Sequence, residues 1–429
     1  MDLQAEKQLI GLVSKRLQWI LLLMMFIAFM DRTNISFVAS FMNKDIGLSA
    51  RQFGWGASLF FVGYLLFEIP SNLIMARVGA RLWLARIMIS WGIVSCASAF
   101  IVGPNSFYLA RFLLGVAEAG FIPGVVLYLS YWVPHRYLGK FTGWFLMIVP
   151  ISASLTAMLT AVLLGLDEVL GVTGWRWVFF TEGLPAIVVG FFLLRYLADK
   201  PASATWLSTD QRTQLQAMVN ADQVGKMTET PKLKPALTSP SVWCLGGAYF
   251  FMNVALGAQT WYPLSIHLFK LSRPWETASI AIPSAIASLS MLLWAKRSDR
   301  GEERSWYVII PALVSALSWY GAAHWINDAF WLPALMSVAY SAMFAALVVF
   351  WTIPTRVLSV EARPAGLAII TALGLPGSMI SLALGGQLRD QLGSFAPCYL
   401  MAASGMLACG LVVVWMHLSD QRKKVALPA

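Results

Sequence analysis

Four ionisable residues interrupt stretches that are otherwise apolar: the adjacent pair Asp31 and Arg32, and Arg111 and Glu118 seven positions apart. An ionisable side chain at the middle of a bilayer costs at least about 2.5–3.5 kcal/mol, so it normally faces a cavity or a partner. If these stretches are helices, Arg111 and Glu118 fall within about 20° of one another around the axis and about 10.5 Å apart along it, and both can face one chamber. Asp31 and Arg32 point about 100° apart, so one can face that chamber while the other reaches a neighbouring helix. Arginine keeps its charge and offers a planar fork to a carboxylate, whereas a carboxyl group deprived of water can take up a proton near neutrality. Arg32 and Arg111 are therefore expected to anchor an anion, and Asp31 and Glu118 to carry protons. The plainer alternative is a salt-bridge cluster that locks two helices together.

The elements that must position these residues follow from composition. Hydrophobic residues make up 58% of the 429 and charged residues 12%, against about 25% charged in soluble domains, and the mean hydropathy is +0.68. A water-soluble fold could not hide so much apolar surface. Runs long enough to span a bilayer are predicted near 19–42, 52–76, 82–102, 106–129, 137–165 and 176–197, then near 241–268, 277–296, 305–325, 330–352, 364–388 and 395–418. The first run is longer than a signal-peptide core and lacks an Ala-x-Ala site, so it reads as a retained helix. The one long polar stretch, 198–240, contains Asp199, Lys200, Asp210, Arg212, Asp222, Lys226, Glu229, Lys232 and Lys234, and divides the runs six and six.

The net charge of +10 could suggest nucleic acid, but the basic residues form no single face or tail. With the N-terminus inside, 23 Lys and Arg residues fall in inner segments and six in outer ones. That excess puts both termini and the middle stretch in the cytoplasm. Cys96, Cys244, Cys398 and Cys409 stand alone in apolar runs, without metal or disulfide spacing. His135, His267, His324 and His417 are scattered, and no phosphate-binding glycine loop is present. No enzyme constellation, cofactor or metal site is expected, and transport must draw on gradients.

The two sets of six read as a parallel duplication. The gap Ala76-Arg77-Val78-Gly79-Ala80-Arg81 is matched six helices later by Arg297-Ser298-Asp299-Arg300-Gly301-Glu302-Glu303-Arg304. The expected fold is an all-α integral membrane protein of twelve helices in two halves related by a pseudo-two-fold axis along the membrane normal, with substrate held between them. The halves are expected at 1–197 and 241–429, joined by a cytoplasmic segment at 198–240.

Ordered motifs add a resemblance. They are Phe29-Met30-Asp31-Arg32-Thr33-Asn34-Ile35, Gly63-Tyr64-Leu65-Leu66-Phe67-Glu68-Ile69-Pro70-Ser71-Asn72, and Arg111 through Phe121 followed by Pro123-Gly124. Gly174-Trp175-Arg176-Trp177, Glu182-Gly183-Leu184-Pro185-Ala186 and Phe350-Trp351-Thr352-Ile353-Pro354 continue the pattern along nearly the whole chain. The sequence resembles the major facilitator superfamily, and within it the anion:cation symporter family of organic-anion permeases. That resemblance implies coupling roles for Asp31 and Glu118, and a substrate carboxylate near Arg32 or Arg111. Three departures stand out: Ala76 replaces a frequent Asp, Thr371 a frequent Asn, and Leu375 another. Fewer amides there tilt the expected substrate toward a less hydroxylated or aromatic acid.

Further polar and aromatic candidates at mid-helix depth are Asn34, Tyr64, Asn253, Gln259, Trp261, Tyr340, Trp351, Thr352, Thr371 and Ser378, each of which could equally be packing. Of these Asn34, Tyr64, Gln259, Trp351 and Thr371 join the two arginines as expected substrate contacts. Glu68 lies toward an inner helix end, which suits a structural or gating role. Arg77, Arg81, Asp299, Arg300 and Arg304 are expected to gate the inner side. The expected activity is proton-coupled symport of a small organic carboxylate into a bacterial cytoplasm, across the inner membrane, by a monomer with the lipid bilayer as its surroundings. An exchanger or facilitator without proton coupling, and a membrane carboxylate sensor, are the alternatives.

Overall fold

Backbone polar groups inside hydrocarbon have no water to bond, so a segment that crosses it must close its own hydrogen bonds as a helix. The computed structural model describes residues 3–224, 233–301, 303–358 and 363–426. Among the described residues every regular element is helical, and twelve helices are long and apolar enough to cross a membrane. In chain order they are α1 (Glu6–Ile46), α2 (Ala50–Val78), α3 (Ala80–Phe100), α4 (Pro104–Ser130), α5 (Gly143–Leu166) and α6 (Gly174–Tyr196), then α7 (Pro240–His267), α8 (Arg273–Ser298), α9 (Trp306–His324), α10 (Trp331–Phe350), α11 (Ala365–Leu392) and α12 (Ala396–Ser419). All twelve predicted runs are present. Lys226, Glu229, Lys232 and Glu302 lie outside the described residues.

Three local features depart from the sequence reading. The first helix starts well before the predicted residue 19. Leu9, Ile10, Val13 and Leu17 repeat at helical spacing and are buried, and the Arg16 guanidinium lies 4.0 Å from the centre of the Tyr196 ring, so Lys15 and Arg16 do not end the helix. The fourth span is two pieces, Pro104–Glu118 and Phe121–Ser130. Gly120 at the break has φ of +80°, and a Cβ there would lie 2.6 Å from Ser71 Oγ. The polar stretch contains a helix, Thr209–Val224, whose Leu215 and Val219 are buried. Trp206 stacks on Trp132 at 5.5 Å, which ties this stretch to the first six helices.

The first six helices meet the last six chiefly where α2 packs on α11 and α5 on α8. Small residues permit the α2–α11 crossing: a Cβ on Gly54 would lie 2.3 Å from the Leu382 carbonyl oxygen, and one on Gly386 2.2 Å from that of Ala50. Close backbone approach of this kind is how packed membrane helices gain contact without a hydrophobic driving force. Both contacts lie toward the bundle end opposite the two termini. There Val38, Phe53, Phe107 and Trp175 share one apolar cluster with the last six helices. Toward the end that carries the termini, Leu17, Met88, Leu129 and Leu193 belong to a separate cluster, against which Leu375 is the one described hydrophobic residue of the last six helices to pack. A cleft of about 170 Å³ opens between Trp144 and Met147 of α5 and Met291 and Ala295 of α8.

Candidate functional site

Arg32 Nε donates to Glu118 Oε1 at 2.6 Å, joining α1 to the last residue before the break in α4. The Glu118 side chain is 1% exposed and that of Arg32 19%, so the pair is approachable through its cation. The Arg32 guanidinium carbon lies 5.0 Å from the Tyr64 ring centre and 5.5 Å from that of Phe60. Arg111 sits 5.1 Å from the same Phe60 ring. One aromatic side chain thus faces both guanidinium groups, an arrangement that stabilises cations removed from water.

Asp31 lies behind this pair. It is buried and accepts hydrogen bonds at Oδ1 from Ser95 Oγ of α3 and, at 3.4 Å, from Asn34 Nδ2. Arg111 acts on it electrostatically, and Arg111 itself is only 4% exposed. The four charges are therefore brought together as the spacing suggested, but their expected shared exposure to a chamber is confined largely to Arg32. The Glu118 Oε2, Asp31 Oδ2 and Arg32 Nη2 atoms have no hydrogen-bond partner among the described residues.

The last six helices present a more apolar wall. Tyr249 of α7 lies against Gly374 of α11, where a Cβ would stand 2.0 Å from the Tyr249 ring. Its ring stands 4.9 Å from Trp351 at 67° and stacks on Phe350 at 5.7 Å. Gln259 and Thr371 are half-buried. Gln259 Nε2 approaches Met343 Sδ at 3.7 Å, and Thr371 Oγ1 donates to the Leu367 carbonyl of its own helix. Thr352 bonds its own backbone at Val349, and Ser378 bonds Asn253. Trp261 and Tyr340 are packing residues: Trp261 meets Phe53 at 5.5 Å and Tyr340 meets Tyr262 and Trp319.

Among the described residues the expected gating residues form no ion pair across the two sets of six. Arg304 Nη2 pairs with Asp299 Oδ1 at 2.9 Å within one loop. The Arg81 backbone N–H donates to Asp199 Oδ1 at 2.8 Å, and Arg77 and Arg300 are exposed. The polar bridges lie at the opposite end. Asp390 of α11 accepts from the backbone N–H groups of Ala50 and Arg51 at 3.1 and 2.8 Å, capping the start of α2, and Ser58 Oγ donates to the Met379 carbonyl at 2.8 Å.

Sequence reasoning passed over Phe60, Ser95 and Tyr249, which carry no charge to mark them, and gave no role to Glu182 or Asp390. The Gly174–Trp177 motif is explained by packing. Trp175 Nε1 donates to Asp45 Oδ2 at 2.8 Å and Arg176 to the Ala99 carbonyl, fastening α6 to the ends of α1 and α3. Among the described residues no group of three His, Cys, Asp or Glu side chains could hold a metal ion.

Twelve spans enclosing buried, paired charges define a polytopic membrane protein with its polar site within the membrane. A family model described as the Major Facilitator Superfamily matches residues 21–355. An Agrobacterium vitis protein named "Putative tartrate transporter" is 38% identical, over 97% of this chain and 93% of its own. The "Quinolone resistance transporter" of Acinetobacter baumannii is 32% identical, over 96% and 95%. The fold is similar to that of the xylose transporter XylE from E. coli in a partially occluded inward open conformation, with a TM-score of 0.76 at 13% identity, over 92% of this chain and 96% of that one. The chain belongs to the major facilitator superfamily and is a membrane transporter of that type rather than an enzyme.

Proposed function

We propose that this transporter couples the uptake of a small organic carboxylate to protons and carries both into the bacterial cytoplasm, across the inner membrane, by alternating access. The observation that carries the reading is the Arg32–Glu118 pair, with its cation partly exposed and its acid buried. A substrate carboxylate that engages the guanidinium fork competes with Glu118 for it. Leaving a buried carboxylate without its cation costs about 3–5 kcal/mol, so Glu118 gives up Arg32 most cheaply by accepting a proton. Substrate binding and protonation are then one exchange of partners. Arg111 holds the charge of Asp31, the second coupling acid, which Asn34 supports from a fully buried position, and Tyr64, Gln259, Trp351 and Thr371 shape the remainder of the pocket.

The membrane topology follows the distribution of basic residues, with both termini and the segment 198–240 cytoplasmic, between halves at 1–197 and 241–429. Arg77, Arg81, Asp299, Arg300 and Arg304 then line the cytoplasmic mouth, where they pair across the halves when that mouth closes. One proton with a monoanion moves no net charge. A second proton adds about 2.3 kcal/mol per 100 mV of membrane potential.

The test is uptake of labelled L-tartrate, benzoate and a quinolone into proteoliposomes. An inward proton gradient should accelerate uptake of at least one of them, and acidifying the outside should raise it, because the proton is a co-substrate. Glu118→Gln and Asp31→Asn should lose this response in at least one case yet retain counterflow exchange. Uptake indifferent to the gradient in the unmodified protein refutes the symport reading and favours an exchanger.

A further inference from the structure

Away from the buried charges, an arginine is built into the surface where α1 meets α6. The α6 helix has 23 residues, about 35 Å of rise against a hydrocarbon core of about 30 Å, so Tyr196 at its end stands at the membrane–water boundary. The Arg16 guanidinium carbon lies 4.0 Å from the centre of the Tyr196 ring and 5.9 Å from that of Trp206, in the segment that follows α6. The Tyr196 hydroxyl donates to the Arg16 carbonyl at 2.9 Å and accepts from Trp19 Nε1 at 2.8 Å. Cation, phenol and indole are thereby fixed as one unit. One turn deeper in the membrane, Phe192 stacks on Tyr196 at 4.8 Å and stands 6.2 Å from Trp19. Trp19, Leu23 and Phe192 are exposed, so an apolar strip runs down both helices from the guanidinium.

The cations here have no acid. Lys15 and Arg195, which precede Arg16 and Tyr196, are exposed, and among the described residues none of Lys15, Arg16 and Arg195 pairs with a carboxylate. Asp199, three residues beyond Tyr196, is taken by the Arg81 backbone N–H. Arg16 Nε and Trp206 Nε1 are buried and without a hydrogen-bond partner. The fitting ligand therefore brings anionic oxygens to the boundary and a hydrocarbon tail to the strip below. A guanidinium fork suits a phosphate, and basic pockets between membrane helices take anionic headgroups. Free phosphate would leave the strip uncovered, and a zwitterionic lipid would bring an ammonium against three cations.

We propose that this α1–α6 surface is a specific site for an anionic phospholipid, with the phosphate on Arg16, Lys15 and Arg195 at the rim, and an acyl chain over Trp19, Leu23 and Phe192. Such a site requires neither proton coupling nor a particular leaflet. The test is native mass spectrometry of the purified full chain, titrated in nonionic detergent with phosphatidylglycerol or phosphatidylcholine. The first phosphatidylglycerol should bind at least tenfold more tightly than phosphatidylcholine, and Arg16→Gln should weaken it by about tenfold or more, the worth of a charge-assisted hydrogen bond. The double variant Lys15→Gln/Arg195→Gln, which changes only exposed side chains, should weaken it at least threefold and decides the matter if Arg16→Gln does not fold. Lys270→Gln, at the opposite end of the bundle, should leave it unchanged. Equal affinity for the two lipids, or full phosphatidylglycerol affinity in the variants at 15, 16 and 195, overturns the proposal. An equal loss in Lys270→Gln also overturns it, as a diffuse attraction to net positive charge, and so does displacement of the lipid by millimolar inorganic phosphate, as a site for free anions.

Discussion

The Asp390 carboxylate reaches from α11 to the backbone N–H of Arg51, at 2.8 Å, and to that of Ala50 beside it, so one side chain of the last six helices caps a helix of the first six. Charge at a helix N-terminus is favourable because the exposed amides there carry the positive end of the peptide dipoles. In this structure the bond joins the two sets of six at the end opposite the termini.

Asp390→Ala should therefore favour opening of that end. Loss of about 1–2 kcal/mol at this cap corresponds to a five- to thirty-fold shift between closed and open populations. Spin labels placed on the loops following α1 and α11 should report a longer-distance population in the variant. An unchanged distance distribution would show that the apolar contacts alone hold the end closed.

Gly54 makes a steric version of the same test. A Cβ there would stand 2.3 Å from the Leu382 carbonyl oxygen, which backbone cannot readily avoid. Gly54→Ala should reduce thermal stability and increase the alkylation rate of a cysteine introduced at Ser58, because α2 and α11 can no longer approach as closely.

Arg32→Lys separates charge from shape. Lysine keeps the positive charge but loses the planar fork and the stacking over Tyr64 and Phe60. A charge-assisted hydrogen bond is worth about 1.5–3 kcal/mol, so carboxylate uptake should fall by tenfold or more. Full activity in Arg32→Lys would locate the substrate anion elsewhere, with Arg111 the next residue to test.

Trp175→Phe isolates the bond from α6 to Asp45. The indole N–H donates at 2.8 Å from a side chain that is 2% exposed, and its removal should lower stability by about 1 kcal/mol. Thermal unfolding should shift downward while the pH response of uptake is retained, since the contact lies far along α1 from Arg32.

The twelve spans were legible because apolar length and charge spacing act locally. The meeting of Asp31, Arg32, Arg111 and Glu118 was legible for the same reason: charges that cost so much in lipid have few places to go. What escaped was set by tertiary contact. The break in α4 falls at Gly120, where Ser71 presses on the backbone, three residues before the Pro123-Gly124 pair that marks a kink in sequence. Proline tolerates the first turn of the piece that follows. Asp390 stands just beyond the predicted run 364–388, and nothing in its neighbours says that another helix begins within its reach. Glu182 was visible as part of a motif, but its burial against Thr160 of α5 is set by the packing of two helices and not by its neighbours in sequence.

The divided fourth helix has an electrical consequence. Where the piece ending at Glu118 stops and the piece beginning at Phe121 starts, a rod end with about half a negative charge abuts one with about half a positive charge. Arg32 is bound beside this seam, so when Glu118 becomes neutral the guanidinium still has the carbonyl terminus of the upper rod for company. Grafting the same side chains onto an unbroken helix would omit that main-chain contribution and leave the arginine more dependent on its cargo.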